Sequence, residues 1–381
     1  MIRPTIATVS LAAVAGNLRA LAEMLDREAR AAGRVSAPGI LAVVKANAYG
    51  HGAAVVGPAL QAAGAAVLAC ADLEEGVALR EAGVTVPILV FGALSVSHLD
   101  AVFDHDLTPT VSTPAAARAL AAKAAERRVR LGCHLKIDTG MNRLGFRHDN
   151  LRRTMPEVLG SPHLQIEAVY THFATADEPE SPFFDLQRGR FEQATAALGA
   201  LGLRGAPRHA ANSAALLRDT RTWYDWVRPG LLLYGIVPPP LASAIPLRPA
   251  LSLTSRIVAV KGLRPGEGTG YGLRWVADGP RTIAIVPAGY ADGLDTRLSN
   301  RGVVLVGGRR VPVVGAVSMD MLTVDVTGLD VNPGDEVVII GHQGDEHITA
   351  REMAAAIGTI PWEIVCRLGA RIERRYGSSE K

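Results

Sequence analysis

Lys45 ends an apolar run, "ILAVVK" (40–45), and is followed by Asn47, Tyr49 and the triplet Gly50-His51-Gly52. A lysine at a strand end ordinarily snorkels to water. Shielded from water, its amine gives up the proton more readily and can attack a carbonyl to form a Schiff base. Tyr49 and the glycines add a hydroxyl and flexible backbone donors. Similar polar endings recur downstream. Lys136 and Asp138 close "RLGCHLKID" (130–138), His172 lies in "IEAVYTHF" (166–173), Asn212 and Ser213 end "HAANS", and Arg228 sits in "WVRPGLLL" (226–233). Most have an ordinary reading when taken alone. Asn212 or Ser213 would serve as a helix cap, and Lys136 would pair with Asp138. Arg228 fits that pattern less well, because "WVRPGLLLYG" is too apolar for a solvated loop.

Residues so far apart meet only if the elements that carry them converge. Eight strand-like runs punctuate residues 10–240: "ILAVVK", "AAVLAC", "VPILVFG", "LTPTVS", "RLGCHLKID", "IEAVYTHF", "RHAAN" and "WVRPGLLL". Ala-rich helical stretches such as "DLEEGVALREAG" and "TPAAARALAAKAAERR" lie between them. This alternation predicts a (β/α)8 barrel over residues 10–240, with a doubly wound sheet as the alternative. In a barrel the polar endings gather at the C-terminal mouth. The proline-rich stretch 237–249 reads as a linker, and 241–381 reads as mostly β, with one helix capped by Thr349 and Glu352. At the N-terminus, Leu11, Val14, Leu18, Leu21 and Leu25 recur at helical spacing after Ser10, which favours an amphipathic helix over a signal peptide.

Composition narrows the function. A net charge of +3 gives no basic field for nucleic acid. Cys70, Cys133 and Cys366 are scattered, which argues against a disulfide framework or a zinc site and fits a reducing cytoplasm. No apolar run is long enough to span a bilayer.

One cofactor uses a reactive lysine, a phosphate cup and a partner for a ring nitrogen. It is pyridoxal phosphate. Ser213 and Asn212 at a helix start suit its phosphate, and Gly230 allows a ligand close approach. Beyond these residues, "AVVKANAYGHG", "KIDTGMNRLGF" (136–146), "YTHFATADE" (170–178), "ANSAA", "VRPGLLLYG", "GYGLRW" (270–275), "PAGYADG" (287–293) and "SMDM" (318–321) follow one another in order. The chain resembles the bacterial alanine racemases, fold-type III pyridoxal phosphate enzymes, along essentially its whole length.

The resemblance implies a barrel followed by a β domain that strand 1–9 joins. It also implies a head-to-tail homodimer whose active sites are completed by the partner's β domain. Lys45 would hold the cofactor covalently and act as one base, and Tyr271 of the other subunit would be the second. Two bases on opposite faces can remove and return the Cα proton without moving the substrate. Tyr271 would need cationic neighbours to act as a base, supplied by His172 and Arg228. Arg228 would face the pyridine nitrogen. Being a donor only, it would leave that nitrogen unprotonated. Tyr49, Ser213, Gly230 and Leu231 would hold the phosphate, with Asn212 nearby. Arg143 would meet the substrate carboxylate or the cofactor's phenolic oxygen. Met319, beside Asp320, would offer the carboxylate a backbone N–H, and Tyr290 would narrow the entrance. Lys136 would carry a carbamate in many members of the family. No metal is implied.

Two positions depart from the family pattern. Ala370 stands where some members have a phosphate-binding tyrosine, and Ser318 where cysteine is common. The alternatives are a serine or broad-specificity racemase of the same fold, and, in a different class, a non-catalytic pyridoxal phosphate-binding regulator. The non-catalytic carriers lack a β domain, so "GYGLRW" and "SMDM" speak against that last reading.

Overall fold

The computed structural model describes residues 4–92 and 98–377. The first three residues of the expected strand 1–9 and the last four of the chain lie outside that range. The first strand, β1 (Ile6–Val9), does not enter the barrel. It pairs antiparallel with Leu251–Arg256 and parallel with Glu373–Tyr376. Ser10 then caps the helix Leu11–Ala31 by accepting from the Ala13 N–H at 3.1 Å. That helix buries Val14, Leu18, Leu21 and Leu25, the stripe its spacing predicts.

The barrel is closed and all-parallel. Its strands are β2 (Gly39–Val43), β3 (Val67–Cys70), β4 (Ile88–Val90), β5 (Thr108–Val111) and β6 (Leu131–Asp138), then, after a short β7 (Phe146–Arg147), β8 (Leu164–Tyr170), β9 (Arg208–Asn212) and β10 (Trp226–Arg228). Val227 pairs with Ile40, so the last strand meets the first, and Thr110 pairs with His134 across the middle. All eight expected runs are barrel strands, and the doubly wound alternative is excluded. The connecting helices start where the sequence supplies caps. Asp72 accepts from Glu75 N–H and Thr113 from Ala116 N–H.

The two halves of the barrel interior differ. Leu41, Val43, Ala69 and Leu89 form an apolar cluster with Phe91 packed against it. The opposite wall is polar, with Thr110, His134, Tyr170, His209 and Arg228. Strand side chains alternate between faces, so Lys45 continues the inward row of Leu41 and Val43. That parity explains one ammonium at the end of an apolar strand.

Past 250 the chain is mostly β. One sheet runs in the order Arg309–Pro312, Val303–Val306, Glu336–Gln343, Leu251–Arg256, β1 and Glu373–Tyr376. A second sheet joins Ala259–Leu263, Arg281–Val286 and Leu322–Asp325. Thr349 caps Ala350–Ile357 by accepting from the Glu352 N–H at 3.0 Å, and a last short helix, Pro361–Cys366, reaches back to the barrel.

Candidate active site

The barrel mouth holds a cavity of roughly 400 Å³. Lys45, Tyr49, Lys136, Arg143 and His172 line it. So do Asn212, Ser213, Arg228, Gly230 and Leu231. Residues spread over nearly two hundred positions are therefore neighbours.

Lys45 begins an unusual turn. Ala46, Asn47, Ala48 and Tyr49 all have φ between 52° and 55°, a single left-handed turn built without glycine. Burial pushes the Lys45 amine below its ordinary lysine value, and the positive charges of Arg143 and Arg228 add to this. Burial also holds the Tyr49 phenol well above its usual range, so it stays a neutral hydroxyl. His51 anchors the turn through Nδ1–H, which donates to the carbonyls of Ala48 (3.0 Å) and Tyr49 (2.9 Å).

At the cup, Ser213 Oγ accepts from the Gly230 N–H at 3.0 Å, so that backbone donor is engaged within the chain. The Ser213 hydroxyl hydrogen and the Tyr49 phenol remain for an anion. Asn212 is the helix cap of its ordinary reading, accepting from the Ala215 N–H at 2.9 Å while still facing the cavity. A methyl group on Gly230 would sit 2.6 Å from Tyr49 Oη, so this close approach needs glycine.

Arg228 is buried beneath the cavity. Its Nη2 donates to the Thr171 carbonyl (2.9 Å), the Ala210 carbonyl (2.9 Å) and His172 Nδ1 (3.1 Å). Its Nη1 donates to His209 Nδ1 at 2.9 Å. Among the described residues Nε and the second Nη1 hydrogen have no hydrogen-bond partner, and Arg228 lines the cavity. Burial and then the Arg228 charge drive His172 well below the ordinary histidine value. His172 is thus a neutral link, and the sequence expectation that it supplies a cation is corrected. Arg228, which donates to His172 directly, is the charged member of that hydrogen-bonded pair.

Lys136 makes no ion pair with Asp138. The Asp138 carboxylate instead accepts from the backbone N–H groups of Gly140 and Asn142. Lys136 Nζ lies 5.5 Å from the centre of the Tyr170 ring, and burial with Arg143 and Arg228 lowers its amine to about 8. Among the described residues none of Lys45, Lys136, Arg143 and Arg228 has a carboxylate partner. Against these four cations the lining sets the single carboxylate of Asp177. Such a cavity suits an anionic ligand.

Four expected site residues lie elsewhere. Tyr271, Tyr290 and Met319 are exposed on the β domain, Tyr271 by 78%, and none of them lines the cavity. Asp320 is also exposed, and its carboxylate takes a 2.7 Å ion pair from Arg371. Conversely, Phe91, Tyr170, Asp177, Trp362 and Cys366 line the cavity without having been singled out. Period-2 parity with His172 could have flagged Tyr170. Nothing local marks Trp362 and Cys366, which arrive from the last helix of the β domain.

Known proteins add an independent line. Residues 9–238 match the family described as "Alanine racemase, N-terminal domain", and residues 250–376 match "Alanine racemase, C-terminal domain". An alanine racemase of Symbiobacterium thermophilum is 44% identical, over 98% of this chain and 97% of its own. The crystal structure of alanine racemase from D-cycloserine-producing Streptomyces lavendulae superposes with a TM-score of 0.93 at 34% identity, covering 100% of this chain and 98% of that one. The alanine racemase structure from Bartonella henselae with covalently bound pyridoxal phosphate gives 0.86 at 28%, covering 98% and 99%.

Proposed function

The chain belongs to the alanine racemase family, and from that premise we propose how its own residues divide the work of racemisation. It is a pyridoxal phosphate-dependent isomerase that interconverts L-alanine and D-alanine. The observation that carries the residue assignments is the set of four cations around one cavity without carboxylate partners among the described residues, beside a hydroxyl cup that a Cβ at position 230 would fill.

The residues present fit the cofactor. Tyr49 and Ser213 would donate hydroxyl hydrogens to its phosphate, Leu231 its backbone N–H, and Arg228 would face the ring nitrogen. Lys45 would hold the resting cofactor, whose ring would withdraw electrons from the Cα of a substrate whose amine takes the lysine's place and leaves the Lys45 amine free. Lys45, with its lowered proton affinity, takes or returns the Cα proton on one face. Arg143 orients the substrate carboxylate. Arg228 donates but cannot accept a proton, which limits how far the ring draws charge and keeps the proton returning to Cα.

The second base is Tyr271, delivered by a partner subunit. Its exposure on a hairpin of the β domain, outside its own cavity lining, supports a head-to-tail homodimer. Tyr290, Met319 and Asp320 would arrive with it, the Met319 N–H binding the substrate carboxylate. The chain would act in the cytoplasm, supplying D-alanine for peptidoglycan. Among the described residues no helix is long and apolar enough to cross a membrane.

The direct test incubates the purified protein with each L-amino acid and measures the D-isomer. Alanine should be converted far ahead of the others. Comparable turnover of serine would replace the proposal with a broad-specificity reading.

A further inference from the structure

Below the cavity, the hydrogen-bond chain that starts at Arg228 does not end at His209. His209 Nε2 lies 3.0 Å from His134 Nδ1. His134 does not line the cavity. It sits on β6, one inward position below Lys136.

Donor and acceptor logic fixes the polarity of this chain. A guanidinium only donates, so His209 Nδ1, 2.9 Å from Arg228 Nη1, must be the acceptor. A neutral imidazole has one N–H, so His209 carries its hydrogen on Nε2. That hydrogen points at His134 Nδ1, which therefore accepts, and His134 holds its own hydrogen on Nε2. The reverse direction would leave His209 with no hydrogen at all. Burial, reinforced by Arg228, lowers His134 to about 4 and His209 well below the ordinary histidine value, so both rings are neutral in the working range.

The His209 ring has no freedom to adapt. It is completely buried and stacked on Tyr170, with centroids 4.6 Å apart and planes within 8°. Tyr170 is itself pinned through a 2.9 Å hydrogen bond to Thr110. Moving the His209 hydrogen to Nδ1 would set it against the N–H of Arg228.

We propose that His134 is a positioning residue for the reaction: by accepting from His209 it fixes the tautomer that lets His209 hold Arg228 against the cofactor's ring nitrogen. The inference rests on the placement of Arg228 given under Proposed function. Without the acceptor, the His209 N–H is stranded or flips toward Arg228, and the guanidinium loses one of its supports. The ring nitrogen is then open to protonation, which favours transamination.

The test compares His134→Leu, which cannot accept, with His134→Asn, whose Oδ1 can take the place of Nδ1. Holoenzymes are assayed for D-alanine and pyruvate, and ¹⁵N-histidine spectra report the His209 tautomer. His134→Leu should lower kcat about tenfold, the order seen when a partner orienting a functional group is removed. KM should stay near wild type and the pyruvate share should rise, while His134→Asn restores both kcat and the partition. Wild-type partition in His134→Leu overturns the proposal. Arg228→Glu run alongside shows whether the placement of Arg228 falls too, because unchanged partition there removes both. Should His134→Leu fail to fold, the wild-type spectrum decides. His209 protonated on Nε2 supports the proposal, and His209 protonated on Nδ1 overturns it.

Discussion

Gly230→Ala is the sharpest probe of the phosphate cup. Gly230 has φ −118°, outside the left-handed region that demands glycine, so the close contact is the main effect of the substitution. Its methyl group would lie 2.6 Å from Tyr49 Oη and 3.0 Å from Cζ, about 0.8 Å short of ordinary contact, which begins near 3.4 Å. Tyr49 cannot easily retreat. It sits at the end of a left-handed turn and packs on Tyr234, with centroids 5.2 Å apart. Overpacking of this kind costs about 1–3 kcal/mol. If the cost falls on the cup, affinity for pyridoxal phosphate drops about 5- to 150-fold. Titrating the apoprotein with cofactor, with thermal unfolding in parallel, measures both quantities. Adding Tyr49→Phe removes the clashing oxygen, so the double variant should regain thermal stability relative to Gly230→Ala, while its cofactor affinity also loses the phenol's hydrogen bond. Unchanged affinity with unchanged stability would refute the placement of Tyr49 Oη beside Gly230, and with it the cup.

Other outcomes follow from the same geometry. Lys45→Ala should lose the visible absorption of lysine-bound cofactor, and borohydride should fix the cofactor to Lys45 in the wild type; fixation to another lysine contradicts the assignment. Lys45→Ala and Tyr271→Phe, each inactive, should complement when subunits exchange, because a head-to-tail heterodimer keeps one intact site and about half the wild-type activity. No recovery in verified heterodimers would place both bases on one chain. Lys136 as a free amine titrates at about 8, below its ordinary 10.5. The unfolded chain then holds the proton more tightly between those values, so stability is depressed below pH 8 and recovers as pH rises from about 8 to 10.5. Lys136→Met should abolish that rise in denaturant titrations, whereas a wild type without the rise has its amine capped, as by a carbamate.

Much of this site could be read from the sequence, and the reason is the strand pattern. Lys45 extends the inward row of Leu41 and Val43, and Lys136 lies on, and His172 just past, strands whose apolar residues mark them plainly as strands, so their convergence needed only the barrel. Hydrogen-bond direction was harder. His172 as a cation was a reasonable expectation for a histidine beside a catalytic tyrosine. It fails because the sequence does not reveal that Arg228 is buried and that His172 Nδ1 must accept from it. His134 and His209 were hidden for the same reason, since each lies inside an apolar-looking strand and its meaning depends on the other. The Lys136–Asp138 pairing failed because Asp138 is taken by the turn that follows it.

The left-handed turn was the least legible feature, and it changes how the two domains relate. Nothing in "KANAY" demands positive φ at four successive residues, a conformation costing about 1–2 kcal/mol at each. Local contacts offset part of that cost, among them Asn47 Oδ1 accepting from the Ala53 N–H at 2.8 Å. The rest comes from more than three hundred residues away. Arg374 Nε donates to the Gly50 carbonyl at 2.7 Å, and a methyl group on Gly50 would collide with the Val365 carbonyl. The β domain therefore braces the segment that aims Lys45 and Tyr49 in its own chain, and lends Trp362 and Cys366 to the same cavity. Its hairpin with Tyr271 is exposed and does not line that cavity. One β domain thus shapes the lysine side of its own site, and in the proposed head-to-tail homodimer it would also offer the tyrosine side to a partner, so a barrel expressed alone should lack both.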